Sequence, residues 1–280
     1  MFRIIEKSNL AKDITRIVIE APDIAAKAKA GQFVIVVTNE NSERIPLTVA
    51  DADRDNGTLA LIFQETGFST KELGALKRGD DIAHLLGPLG TPTHIEKYGT
   101  VICIGGGVGI AEVFPVAKAM KEAGNRVIGI IGARSKSSII LEEKLQPCCD
   151  ELFITTDDGS YGAQGFVTDI LKDLIRVVEQ STHTKYPHLV YAVGPVAMMQ
   201  KVAELTKGYN IKTIVSLNPI MVDATGMCGA CRVSVGGQTR FGCVDGPDFD
   251  AHLVDFNELR KRLNAFKEKE ECVNKRCPIK

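Results

Sequence analysis

The sequence predicts a small antiparallel β-barrel, then a doubly wound α/β domain, then a short cysteine-bearing segment followed by a charged helix and tail. Three observations predict this order. Short β-branched runs separated by Gly, Asp and Asn clusters fill the first part of the chain. Near residue 98 the pattern changes to continuous apolar runs alternating with amphipathic stretches, as in successive βαβ units. After residue 220 that alternation stops and cysteines appear among glycines. The boundaries drawn from these changes are 1–97, 98–220, 221–256 and 257–280.

In the first part, Ile14–Ile19 alternates and is β-branched, and Gly31–Val37 reads as a second strand. Thr58–Phe63 follows the Asn56-Gly57 turn as a third. Only Ser69–Leu76 carries helical character there. In the second part, Thr100–Ile104 is the apolar run of a buried parallel strand. It enters Gly105-Gly-Gly-Val-Gly109 and then a helix over Ile110–Ala123. Strands are expected at 127–131, 151–155, 188–193 and 211–216, and helices at 142–145, 166–179 and 196–209. The third part holds two short strands, Ala230–Val235 and Gln238–Phe241, joined at Gly236-Gly237. A single charged helix is expected over Phe256–Glu271, before a tail with Cys272 and Cys277.

The 280 residues carry a net charge of −1, so no basic field points to nucleic acid. The longest weakly charged run, Thr100–Ala117, is broken by glycines, a proline and Glu112, and is not a membrane span. Met1 leads directly into a strand-like pattern rather than a secretory leader. Eight cysteines in that setting indicate metal binding in a reducing, cytoplasmic compartment rather than disulfides.

The chemistry-bearing stretch is Met221-Val-Asp-Ala-Thr-Gly-Met-Cys-Gly-Ala-Cys-Arg232, completed by Cys243. Plant-type ferredoxins hold a [2Fe–2S] cluster with C-x4-C-x2-C and a distant fourth cysteine. Here Cys228 and Cys231 form the C-x2-C pair, Cys243 is the distant one, and Asp223 stands where the first would be. Gly226 and Gly229 let the backbone wrap closely and turn N–H groups towards sulfur. A structural zinc site and a redox disulfide remain open from spacing alone. Zinc would want a second clustered ligand pair, and a redox pair would want a helix start.

Three further segments read as nucleotide-binding turns. Gly106, Gly107, Val108 and Gly109 sit between a strand and a helix, where N–H groups can face a diphosphate. Asp157 and Asp158 end a strand and suit ribose hydroxyls, which favours NAD(H), whereas Arg134 and Lys136 suit a 2′-phosphate. Gly194-Pro195 follows a strand at the end where open sheets place ligands. In the barrel, Arg44 is a bidentate anion donor, Thr48 offers a hydroxyl, and Gly67, Ser69 and Thr70 offer N–H groups or a helix cap.

Arg-x-Pro-Leu-Thr on a barrel, then Gly-Gly-Gly-Val-Gly, then Gly-Pro after a strand, resembles the ferredoxin–NADP reductase-like flavoproteins. With the cysteine stretch appended, and with Thr156–Gly162 and Gly165–Asp169, residues 1 to about 256 resemble a narrower group, iron–sulfur flavoprotein subunits typified by the electron-transfer subunit of type B dihydroorotate dehydrogenase. That subunit carries four cysteines; Asp223 and the tail after Phe256 look more like a branch that takes part in electron bifurcation.

The resemblance implies FAD near Arg44, Pro46, Leu47, Thr48, Phe63, Gln64, Glu65, Gly67, Ser69 and Thr70. It implies NAD(H) along Gly106–Gly109, Ala133, Arg134, Asp157, Asp158, Gly194 and Pro195. It implies cluster ligands Asp223, Cys228, Cys231 and Cys243, and no side chain acting as a general base. The implied partner is a larger flavoprotein subunit with its own FAD and [4Fe–4S] clusters, forming a heterodimer that couples NADH, NADPH and ferredoxin, with no nucleic acid or membrane involved. The dihydroorotate enzyme is the nearest alternative and a zinc-stabilised nucleotide sensor the remote one.

Overall fold

The computed structural model describes residues 2–179 and 187–276. The first seven strands are β1 (Phe2–Ala11), β2 (Ile14–Glu20), β3 (Phe33–Val37), β4 (Ile45–Asp53), β5 (Thr58–Gln64), β6 (Asp81–Ile82) and β7 (His84–Leu89), with helices α1 (Pro22–Ala25) and α2 (Phe68–Ala75) between them. They form one antiparallel sheet in the order β6-β1-β2-β5-β4-β3-β7. Its two edge strands are separated in sequence by Ala83 alone, so the sheet curls on itself into a nearly closed barrel. Inward residues such as Ile17, Ile19, Val34, Val36, Leu59, Leu61 and Phe63 fill the interior. Each such side chain contributes about 1.5–3 kcal/mol by leaving water.

The next elements are β8 (Thr100–Gly106), α3 (Ile110–Glu122), β9 (Arg126–Ala133), α4 (Glu142–Leu145), β10 (Glu151–Thr156), β11 (Ala163–Gln164), α5 (Val167–Glu179), β12 (Leu189–Val193), α6 (Val196–Gly208) and β13 (Thr213–Ser216). After β14 (Arg232–Val235) and β15 (Gln238–Phe241), the short strand β16 (Asp248–Asp250) joins the second sheet, whose order is β11-β10-β9-β8-β12-β13-β16. All its pairings are parallel except β13 with β16. All of β12, and β8 beyond its first residue Thr100, are buried, as a sheet covered on both faces requires. The chain winds outward from β8 through β9 to β10, then returns to β12 on the other side of β8, making the β8/β12 gap the topological switch point.

The C-terminal region forms two helices, α7 (Phe256–Leu263) and α8 (Lys267–Arg276), rather than the single one expected. Asp255 caps α7 by accepting from the N–H groups of Asn257 and Glu258, and Phe256 and Leu259 are its buried anchors. Asn264 closes the helix, and the following stretch offers no comparable apolar face to carry it on. Cys272 lies half-buried on α8, and Cys277 falls outside the described residues.

Two compact units result. One comprises residues 1–92, 218–247 and 255–280, and the other 93–217 and 248–254. The cysteine segment thus shares a unit with the barrel, although some 125 residues of the other unit separate them in sequence.

Candidate functional site

Strand β3 explains how the cysteine segment is held. Val34 and Val36 point into the barrel, whereas Phe33, Ile35 and Val37 pack with Met221, Ala224, Cys231 and Cys243. Alternation along a strand sends neighbours to opposite faces, so an unbroken apolar run in a barrel strand means both faces are covered. That run was the one signal in the sequence that something would dock on this strand.

Within the segment the side chains form two pairs. Cys231 and Cys243 are both 2% exposed, with their sulfurs 3.1 Å apart. Burial first, then the adjoining Cys231, pushes the Cys243 thiol up to about 12, and the Gly226 amide opposes this. Cys228 is exposed; the amides of Ala230 and then Asp223 hold its thiol below the usual range, while loss of solvation and then the Asp223 charge act against them. The Asp223 carboxylate accepts from the Thr225 hydroxyl. Its main-chain carbonyl accepts from Arg44 Nη2 at 3.0 Å. Ala224 between them holds a left-handed φ of 63° with its methyl buried under β3. Two crowded buried thiols, amides aimed at sulfur and a carboxylate beside the outer cysteine fit a thiolate-bound cluster with two ligands on each of two irons. Among the described residues, no three His, Cys, Asp or Glu side chains are grouped to hold a single metal ion.

The barrel candidates divide into two kinds. The segment bearing Arg44 is fastened to α2: Ser69 donates to Glu43 at 2.8 Å, and Asn39 and Ser42 donate to Glu72 at 2.8 and 2.6 Å. This ties the segment leading into Arg44 to the first turn and middle of α2. Arg44 Nε is buried without any acceptor, an orphaned donor that an anionic ligand oxygen would satisfy. Pro46 and Thr48 lie opposite Ile35 and Phe33 in the β3–β4 ladder, Leu47 packs against the barrel core, and Gln64 is exposed at the end of β5. Other candidates serve the scaffold. Phe63 is core, Thr70 and Gly67 cap α2, and Glu65 accepts from Thr15 at 2.5 Å while filling the space over Gly74.

In the second unit, the turns after β8 and β12 meet at the switch point. A Cβ on Gly109 would stand 2.6 Å from the Val193 carbonyl oxygen and 2.9 Å from Gly194 Cα, so only glycine permits this approach. Gly107 adopts φ 58° with open space around it, the opposite situation. Val108 lies between them in the turn that starts α3, and Pro195 leads into α6. At the ends of β9 and β10, the amides of Asp157 and Asp158 donate to the carbonyls of Ala133 and Arg134 at 3.1 and 3.2 Å, joining those segments. The Asp158 carboxylate is lowered by the Ser160 side chain and amide, and Asp157 and Arg134 are exposed. Lys136 lies over the Tyr161 ring, 4.8 Å from its centroid.

Among the described residues, no helix is long and apolar enough to cross a membrane. The family model for the iron–sulfur cluster binding domain of dihydroorotate dehydrogenase B matches residues 218–255. A Thermotoga maritima protein named as a homolog of the dihydroorotate dehydrogenase B (NAD(+)) electron transfer subunit is 44% identical, covering 96% of this chain and 92% of its own. A Clostridium beijerinckii protein of uncharacterised function is 47% identical with the same coverage. The solved structure of an NADH-dependent reduced ferredoxin-NADP oxidoreductase, described in terms of flavin-based electron bifurcation, superposes with a TM-score of 0.92 at 43% identity, over 99% of this chain and 97% of that one.

Proposed function

Because this chain belongs to the family of dihydroorotate dehydrogenase B-type electron-transfer subunits, we propose that it is the small iron–sulfur flavoprotein subunit of an NADH-dependent reduced ferredoxin:NADP oxidoreductase. The observation that carries this reading is the end-to-end likeness to the solved oxidoreductase chain. Asp223, standing where the resemblance to the four-cysteine dihydroorotate subunits would put a cysteine, is in keeping with this reading. The dihydroorotate reading is the second one, and it rests on the shared family.

Bound FAD would supply two-electron exchange with NAD(H), and a [2Fe–2S] cluster one-electron exchange towards a partner. The chain's own residues bind, orient and tune. Arg44 would present its free Nε to the flavin's diphosphate, flanked by Thr48 and the start of α2. The turn at Gly106–Gly109 and Gly194-Pro195 would hold the dinucleotide at the switch point, with Asp157 and Asp158 on the ribose side. Asp223 with Cys228, and Cys231 with Cys243, would each hold one iron. Met227 and Val222, both exposed beside the cysteines, leave that end of the segment open to solvent. The partner is a larger flavoprotein subunit carrying FAD and [4Fe–4S] clusters, the pair acts on ferredoxin indirectly, and the setting is cytoplasmic, where thiolate ligands stay reduced.

Purifying the native complex and counting flavin, iron and sulfide tests the reading. NADH- and ferredoxin-dependent reduction of NADP+ is expected. Electron delivery from dihydroorotate instead would establish the second reading, and a colourless protein would overturn both.

A further inference from the structure

Arg44 sits where two proposed sites share one side chain. Its Nη2 donates to the main-chain carbonyl of Asp223, a residue 179 positions away, while its Nε is buried with no acceptor. A buried guanidinium N–H without a partner costs free energy that an anionic oxygen would recover. The backbone carrying Arg44 is not free to follow the side chain, because Glu43 is bonded to Ser69 on α2. At the other end, the Asp223 turn is held in an unfavourable left-handed conformation at Ala224, so its position depends on what grips it from outside. The Arg44 hydrogen bond is such a grip, whereas the Thr225 hydroxyl on the Asp223 carboxylate is a bond within the turn itself.

We propose that Arg44 is a positioning residue for the cluster: with its Nε on an anionic oxygen of the flavin dinucleotide, its fork is locked and its Nη2 fixes the Asp223 main chain, so flavin occupancy sets the geometry of the carboxylate-ligated iron. A guanidinium has planar donors on adjacent edges, which lets one side chain report the state of one site at the other; a lysine ammonium has no such fork. This rests on the placement of FAD at Arg44 and of the cluster at Asp223 argued above.

The experiment uses the full chain with its cluster, with the flavin removed and then restored, in wild type, Arg44→Gln and Arg44→Lys. Three readouts are taken: flavin affinity, the EPR spectrum of the reduced cluster, and the rate of iron loss to a chelator. In wild type, removing flavin should shift the g-values and speed iron loss about tenfold, the scale of one charged hydrogen bond. Arg44→Gln should bind flavin at least tenfold more weakly and show fast iron loss and the shifted spectrum whether or not flavin is present. Arg44→Lys should recover part of the flavin affinity and none of the flavin dependence of the cluster, and it carries the test if Arg44→Gln does not fold. Flavin-dependent spectra and iron loss in Arg44→Lys matching wild type would overturn the proposal, as would a wild-type cluster indifferent to flavin. Absence of any cluster in wild type, or an unchanged spectrum in Asp223→Cys, would instead remove the ligand assignment beneath it.

Discussion

The sulfurs of Cys231 and Cys243 face each other at 3.1 Å, both buried against the outer face of the barrel strand that carries Phe33, Ile35 and Val37. As thiols they are poorly solvated, and Cys243 is accordingly pushed up to about 12. As the proposed metal ligands they would lose those protons, and the crowding that is unfavourable for two thiols would become a preformed half of the cluster site. The buried cysteines of the second unit differ in kind. Cys103 is wholly buried on β8 and its thiol is driven up by desolvation first, then by Cys149.

Replacing Cys231 or Cys243 with Ala should therefore abolish bound iron and sulfide. Cys103→Ala should leave both intact and cost stability alone, roughly 1–2 kcal/mol for a small buried side chain. Iron and sulfide analysis beside thermal unfolding distinguishes the two classes. Full cluster content in Cys231→Ala or Cys243→Ala would remove these thiols from the ligand set.

Asp223→Ala should lower cluster content, whereas Asp223→Cys should keep the cluster and change its EPR spectrum, since a thiolate is softer than a carboxylate. If neither variant differs from wild type, Asp223 is not a ligand and Cys272 or Cys277 becomes the next candidate.

Gly109→Ala should cost about 1–3 kcal/mol and weaken NADH binding, because its Cβ would meet the Val193 carbonyl at 2.6 Å. Gly107→Ala meets open space and carries only the left-handed backbone penalty, about 1–2 kcal/mol. Denaturant unfolding of the nucleotide-free protein should rank Gly109→Ala as the less stable variant; the reverse order would contradict the packing argument.

A buried acid in the second unit makes stability depend on pH. Asp248, on β16, accepts from Thr93 at 2.6 Å and Tyr191 at 3.0 Å, and burial pushes its carboxyl up from the ordinary 3.8 to about 6. The folded state thus binds this proton more tightly than the unfolded chain. Its contribution is fully present below about pH 4 and is lost as pH rises through about 6. Asp248→Asn cannot ionise, so its stability relative to wild type should rise by on the order of 2–3 kcal/mol between pH 4 and pH 8. Urea unfolding across that range checks this, and parallel profiles for the two proteins would rule it out.

Exchanging Asp157 for Ser should reduce the preference for NADH over NADPH severalfold by removing a carboxylate that repels a 2′-phosphate. Comparing the two dissociation constants by flavin-free titration is sufficient, and an unchanged ratio would move the discrimination to Asp158 or elsewhere.

Features that depend on local periodicity were legible in the chain itself. The strands Ile14–Glu20 and Thr58–Gln64, the β8–turn–α3 unit and the β14–β15 hairpin follow from alternation, apolar runs and glycine turns, because those patterns are read within a few residues. The spacing of Asp223, Cys228, Cys231 and Cys243 likewise announced a metal site without locating it. Only the tertiary structure decided that this segment belongs with the barrel, that β16 completes the other sheet, that Glu65 braces Thr15, and that Arg44 reaches Asp223. These contacts join residues tens to hundreds of positions apart. They are selected by which buried faces and unsatisfied donors find a match in space, and a pattern confined to neighbouring residues carries no record of that choice.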